Sequence, residues 1–168
     1  MTFKGISLKI VCGDSQMKSC TFIGHRDSSI NLYDKLYCEI EKMIVRENVK
    51  NFYVGTNGNF DKMVYNILSK LKDKYKIQIN VVLAYLNLKK ENIYFDINET
   101  IFPDILEKTP LRLAINKRNE YMIKKSQCII CCVDNTFTNS YKYVEMALKN
   151  NLKIINIGSC EIKKTLSG

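Results

Sequence analysis

Asn51-Phe-Tyr-Val-Gly-Thr-Asn-Gly-Asn-Phe-Asp61 changes its apolar period partway along. Asn51 to Val54 reads as a strand that stops at Gly55. From Phe60 to Tyr75 the apolar residues Met63, Val64, Ile67, Leu68 and Leu71 recur at helical spacing on one side. A strand, a glycine-bearing turn and an amphipathic helix in that order are the building step of a parallel α/β sheet.

The same step repeats outward. Ser19 to Ile23 is a short strand ending at Gly24, followed by a helical stripe over Ile30 to Arg46 with Leu32, Leu36, Ile40, Met43 and Ile44. Downstream, Ile77 to Leu86 reads as a third strand, Arg112 to Lys125 as a helix and Gln127 to Val133 as a strand. Ser140 to Asn150 reads as a helix and Lys153 to Ile157 as the last strand. Apolar strands alternating with amphipathic helices predict a Rossmann-like, doubly wound α/β fold. The sheet is expected to be mostly parallel, of about five strands, with helices on both faces. Met1 to Cys12 is expected to add an N-terminal strand, and Ile93 to Pro110 to form a long excursion.

The chain has 168 residues, which fits one domain, taken as residues 1–168 with its core at 18–157. Hydrophobic residues at 46% and charged ones at 26% exclude a disordered chain. No apolar run approaches the ~20 residues of a membrane span. Met1 to Lys9 lacks a signal-peptide core, so a cytoplasmic location is expected. The formal net charge of +9 suits phosphates or nucleic acid. Its carriers, however, are scattered lysines, with only Arg26, Arg46, Arg112 and Arg118 as arginines, and this disfavours nucleic acid. The seven cysteines are odd in number and irregular in spacing, so they form no disulfide framework. Cys128 and Cys131 form a C-x-x-C, but residues three apart on a strand face opposite ways. With one histidine in the chain, no metal site is expected.

In an open parallel sheet, ligands sit beyond the C-terminal strand ends where the strand order reverses. Three polar loops leave such ends: Gly24-His-Arg-Asp27, Gly55-Thr-Asn-Gly-Asn-Phe-Asp61 and Asp134-Asn-Thr-Phe-Thr-Asn139. Each leads to a helix N-terminus, where free N–H groups favour anions. Gly55 and Gly58 let a backbone approach a phosphate, with Thr56 and Asn57 between them. Asp61 either caps the next helix or accepts from a ribose hydroxyl. The loop is no Walker motif, because Gly-Lys-Ser/Thr is missing. Arg26, beside His25, either clamps a phosphate or makes a surface ion pair. Arg118 and Asn119 either reach across the strand ends or belong to a solvated helix face. Glu120 is a further acid or base candidate, without an evident partner.

Taken together, Cys20-Thr-Phe-Ile-Gly-His-Arg26, Tyr53-Val-Gly-Thr-Asn-Gly-Asn-Phe-Asp61, Val81-Val-Leu-Ala-Tyr-Leu86, Arg118-Asn-Glu-Tyr-Met-Ile123 and Cys128-Ile-Ile-Cys-Cys-Val133 resemble the SLOG superfamily. The likeness is to its short single-domain bacterial members and runs from about Lys18 to Ile157. SLOG proteins are Rossmann-like relatives of the LOG-type nucleotide phosphoribohydrolases. They include nucleotide sensors and a protein that binds single-stranded DNA. The resemblance implies a nucleotide or nucleotide-sugar site at the strand ends, and a homodimer. Gly24, His25 and Arg26 match the first loop, Gly55, Phe60 and Asp61 the second, and Arg118 and Met122 the Arg-x-x-x-Met spacing. The LOG Pro-Gly-Gly-x-Gly-Thr loop and its catalytic glutamate are not matched. In their place stands Asp134-Asn-Thr-Phe-Thr-Asn-Ser-Tyr141, whose Thr136, Thr138, Asn139 and Ser140 offer side-chain hydrogen bonds.

The function expected first is binding of a nucleotide-type small molecule, as a sensor or sequestering protein, with no further cofactor. The alternative is a hydrolase or transferase acting on an N-glycosidic or phosphate bond, with Arg118, Glu120 and Asp61 as catalytic candidates. Single-stranded nucleic acid binding is the third, and it needs a basic groove interleaved with aromatics.

Overall fold

The computed structural model describes residues 17–163, so the strand expected in Met1 to Cys12 lies outside the described residues. Six strands form one sheet: β1 (Ser19–Ile23), β2 (Asn51–Val54), β3 (Gln78–Val82), β4 (Thr100–Ile101), β5 (Cys128–Cys131) and β6 (Lys153–Asn156). Their order is β4-β3-β2-β1-β5-β6, and every pairing is parallel. The chain therefore winds outward from β1 to β4, crosses back, and adds β5 and β6 on β1's other side. This is a Rossmann-like, doubly wound fold, and its order reverses between β1 and β5.

Helices α1 (Tyr33–Val45) and α2 (Asn59–Lys74) cover one face, with Leu36, Ile40, Met63, Ile67 and Leu68 packed on Phe22, Phe52 and Ile130. Helices α3 (Ala114–Lys124) and α4 (Tyr141–Lys149) cover the other, where Ile123, Val144 and Ala147 meet Ile129, Cys131 and Val133. Strand alternation sets this division. Cys128 and Ile130 point into the first core while Ile129 and Cys131 point into the second, so the C-x-x-C is split across the sheet.

The strand beyond the five expected is β4, which comes out of the long excursion as Thr100–Ile101 beside Val81 and Val82. The third strand ends at Val82, although the apolar run continues to Leu86. Leu83 and Ala84 stay buried, but Ala84 packs with Leu106 and Ala114 in a satellite core rather than in the sheet. The Leu83 N–H still donates to the Ile101 carbonyl at 2.9 Å, and beyond it the run leaves the sheet, with Leu86 exposed. Among the described residues no helix is long and apolar enough to cross a membrane.

The layering sorts the cysteines by reactivity. Cys20, Cys128, Cys131 and Cys132 are buried, while Cys38 is exposed and Cys160 half-buried. Burial pushes the Cys131 thiol up to about 12 and the Cys20 thiol well above its ordinary range. The thiolate is the nucleophile, so neither should react in the folded state. Among the six described cysteines, maleimide labelling followed by peptide mapping is expected to modify Cys38 first and Cys160 more slowly. The other four should label only in denaturant, and rapid native labelling of Cys128 or Cys131 would contradict this packing.

Candidate functional site

The strand ends at the β1–β5 reversal build the candidate site around Arg118. This residue lies on α3, yet it is only 2% exposed. A buried guanidinium must find acceptors. Arg118 Nε donates to Asn119 Oδ1 at 3.0 Å, and Nη1 to Asn57 Oδ1 at 3.1 Å and to the Val82 carbonyl at 3.5 Å. Nη2 makes no hydrogen bond among the described residues; it stands 4.0 Å from Asp61 Oδ2. Asp61 Oδ2 in turn accepts from the Asn57 N–H at 2.8 Å. Asn57 thus joins Arg118 and Asp61 by its side chain and its backbone.

Two glycines make this arrangement fit. A Cβ on Gly55 would lie 2.4 Å from Arg118 Nη1 and 2.6 Å from Asp61 Oδ2. Gly55 therefore makes room for the buried charges rather than for a sharp turn. Gly58 has φ of +97°, and a Cβ there would sit 2.6 Å from the Arg26 backbone. The Asn59 N–H donates to the Arg26 carbonyl at 2.7 Å, which ties the first loop to the start of α2.

Burial sets the electrostatics of the pair. It pushes the Asp61 carboxyl up, against the pull of the Arg118 charge and the Asn57 N–H. It lowers Arg118, against the raising effect of Asp61, but a guanidinium starts so high that it stays charged. At 4.0 Å the contact is too long for a hydrogen bond, so desolvation outweighs the attraction at Asp61.

A cleft of about 160 Å³ opens over Arg118, lined also by Gly24, Arg26, Asn57, Asp61, Asn119, Ser140 and Tyr143. The structure thus gathers Gly24, Arg26, Asn57, Asp61, Arg118 and Asn119 into one place. Thr56 and Gly58 line an adjoining groove of about 540 Å³ that shares Arg26 and Asn57 with the cleft. His25 lies elsewhere, in a cavity of about 680 Å³ with Lys35, Cys132 and Asp134. Glu120 is ion-paired with Lys117 at 2.9 Å and does not line the cleft. Thr136 and Asn139 are exposed, Thr138 donates to the Asn135 carbonyl at 3.2 Å, and none of the three lines these cavities. The loop after β5 reaches the cleft only through Ser140, just before α4, and Tyr143 beyond it.

The 680 Å³ cavity is larger, but Lys35, Asp134 and Ser159 in it bond groups that also line it. Lys35 Nζ donates to the Ile157 carbonyl at 2.8 Å. Asp134 Oδ1 accepts from the Ser159 N–H at 3.0 Å and from its hydroxyl at 3.1 Å, and these bonds hold the Asp134 carboxyl below its usual range. A buried guanidinium with a donor left over, not volume, singles out the Arg118 cleft. Among the described residues no cluster of His, Cys, Asp or Glu is arranged to hold a metal. Neither a scan of the chain against known protein families nor a comparison with curated proteins finds a match.

Proposed function

We propose that the chain is a SLOG-type domain that binds a nucleotide or nucleotide-sugar, with the phosphate in the Arg118 cleft. One observation carries the reading: a guanidinium 2% exposed, fixed through Nε and Nη1, has no hydrogen bond on Nη2 among the described residues, at the rim of a parallel sheet. A cation held in this way is costly unless an anion completes it, and arginine's planar fork suits a phosphate. Arg26 lines the same cleft and adds positive charge, and Ser140 adds a hydroxyl. Sensing or sequestering the nucleotide needs no more than this.

Cleavage of the bound nucleotide is a second reading, favoured by one feature. Asp61 is the carboxylate that lines the cleft, and burial raises its pKa, as a general acid requires. Titration with AMP, ADP-ribose, cyclic ADP-ribose and NAD, followed by recovery of the ligand, tests both readings. Binding is expected at sub-millimolar concentration, with the ligand returned intact. No binding at millimolar ligand would overturn the proposal, and release of free base would favour cleavage.

A further inference from the structure

The cleft over Arg118 is too small for a whole nucleotide. Ligand sites usually enclose about 300–1,000 Å³. At about 160 Å³ the cleft takes a phosphate and little more, so the rest of the ligand needs a second space. Two lie nearby. The His25 cavity shares no lining residue with the cleft, whereas the 540 Å³ groove shares both Arg26 and Asn57.

The groove runs between the loop after β2 and the excursion after β3. Its far wall carries Tyr85, Asn87, Leu88, Asn92 and Tyr94. Aromatic rings beside side-chain amides are the means by which proteins hold unstacked bases. Tyr94 is held edge-on by Tyr65 and Phe95, at 6.0 Å and 5.3 Å between ring centres, with Lys62 Nζ 5.8 Å from its ring. Its hydroxyl is closed off from water and has no hydrogen-bond partner among the described residues. Such a group costs folding energy, so its persistence calls for a purpose. Burial and the Asp61 charge raise the Tyr94 hydroxyl's pKa while Arg118 lowers it, so the hydroxyl lies within the field of that pair.

We infer that the groove is the nucleoside half of the site and that the Tyr94 hydroxyl is a contact for a nucleoside monophosphate whose phosphate occupies the Arg118 cleft. The inference rests on the reading of the cleft as a phosphate site and deepens it. The ligand's sugar supplies the acceptor that Tyr94 lacks among the described residues. Because the hydroxyl is closed off in the free chain, the contact requires side chains lining the groove to shift as the ligand enters; Arg26 lines both spaces and is exposed.

Calorimetric titration of wild type and Tyr94→Phe with inorganic phosphate and with AMP, GMP, CMP and UMP tests this, alongside the melting temperature of each protein. The preferred monophosphate is expected to bind wild type at least about tenfold more tightly than phosphate does. Tyr94→Phe keeps the ring and deletes the orphaned hydroxyl. It is expected to raise the melting temperature and weaken the preferred monophosphate about fivefold, leaving phosphate unchanged. A purely structural tyrosine would not move stability and affinity in opposite directions. Monophosphates binding no better than phosphate, or Tyr94→Phe binding them as wild type does, would overturn the inference and leave the phosphate site standing. If neither phosphate nor any monophosphate binds, the reading of the cleft fails and the inference with it.

Discussion

Arg118→Met is expected to destabilise the protein by about 3 kcal/mol and to weaken nucleotide binding about 100-fold. Methionine fills much of the arginine's volume but leaves the Asp61 carboxyl buried without its countercharge. It also strands Asn57 Oδ1 and Asn119 Oδ1, which accept from the guanidinium. The loss should depend on pH in a definite sense. Burial already holds the Asp61 carboxyl above its ordinary value, and the Arg118 charge is the main force opposing that rise. Removing the charge raises it further. A carboxyl whose folded pKa exceeds its unfolded one holds its proton more tightly in the folded chain. Its favourable contribution is complete below the unfolded value and disappears as pH climbs through the folded value. Urea denaturation is therefore expected to show the deficit of Arg118→Met growing from about pH 4 towards neutrality. Adding Asp61→Asn to the variant should recover part of the stability at neutral pH and none of the binding. A deficit independent of pH would contradict the picture of a buried, charge-compensated pair.

Gly24→Ala is expected to cost about 1–3 kcal/mol through overpacking. The new methyl would fall 2.3 Å from Phe60 Cγ and 2.5 Å from both Cδ atoms. Phe60 cannot swing away, because it is 1% exposed and locked in the core between α2 and the sheet. The consequence reaches the site. Phe60 immediately precedes Asp61 in the first turn of α2, so a displaced ring moves the carboxyl that faces Arg118. Nucleotide affinity should fall together with stability. Phe60→Leu in the Gly24→Ala background should recover a part of both, although Phe60→Leu alone is destabilising. Thermal denaturation of the four proteins gives the coupling, and strictly additive losses would contradict the steric account.

These two positions show what the chain discloses before it is folded. The strands at Ser19, Asn51 and Cys128 are legible because strands inside a parallel sheet are short apolar runs next to glycine or polar turns, and the half-buried edge strand at Lys153 keeps the same apolar run. Thr100–Ile101 is not legible, since two residues carry no period and pair only because Val81 and Val82 offer an edge. The role of Gly55 is half legible. A glycine after a strand announces a close approach, but what approaches is Arg118, from a helix far along the chain. Asp61 shows the same limit: its place at a helix start is visible, while its acceptance from the Asn57 N–H depends on the loop's path. Thr136 and Asn139 look like ligand groups because they follow a strand, yet that loop bulges into solvent with Phe137 97% exposed. Tyr94 gives no local signal. Its interest comes from an unpartnered hydroxyl, which only packing can create.

A crystal grown with the preferred nucleoside monophosphate puts the central claim to the most direct test. A phosphate oxygen is expected about 2.8 Å from Arg118 Nη2, with the base in the groove beside Tyr85 and Tyr94. A phosphate seated instead in the His25 cavity, or an Arg118 cleft that stays empty at saturating ligand, would contradict it.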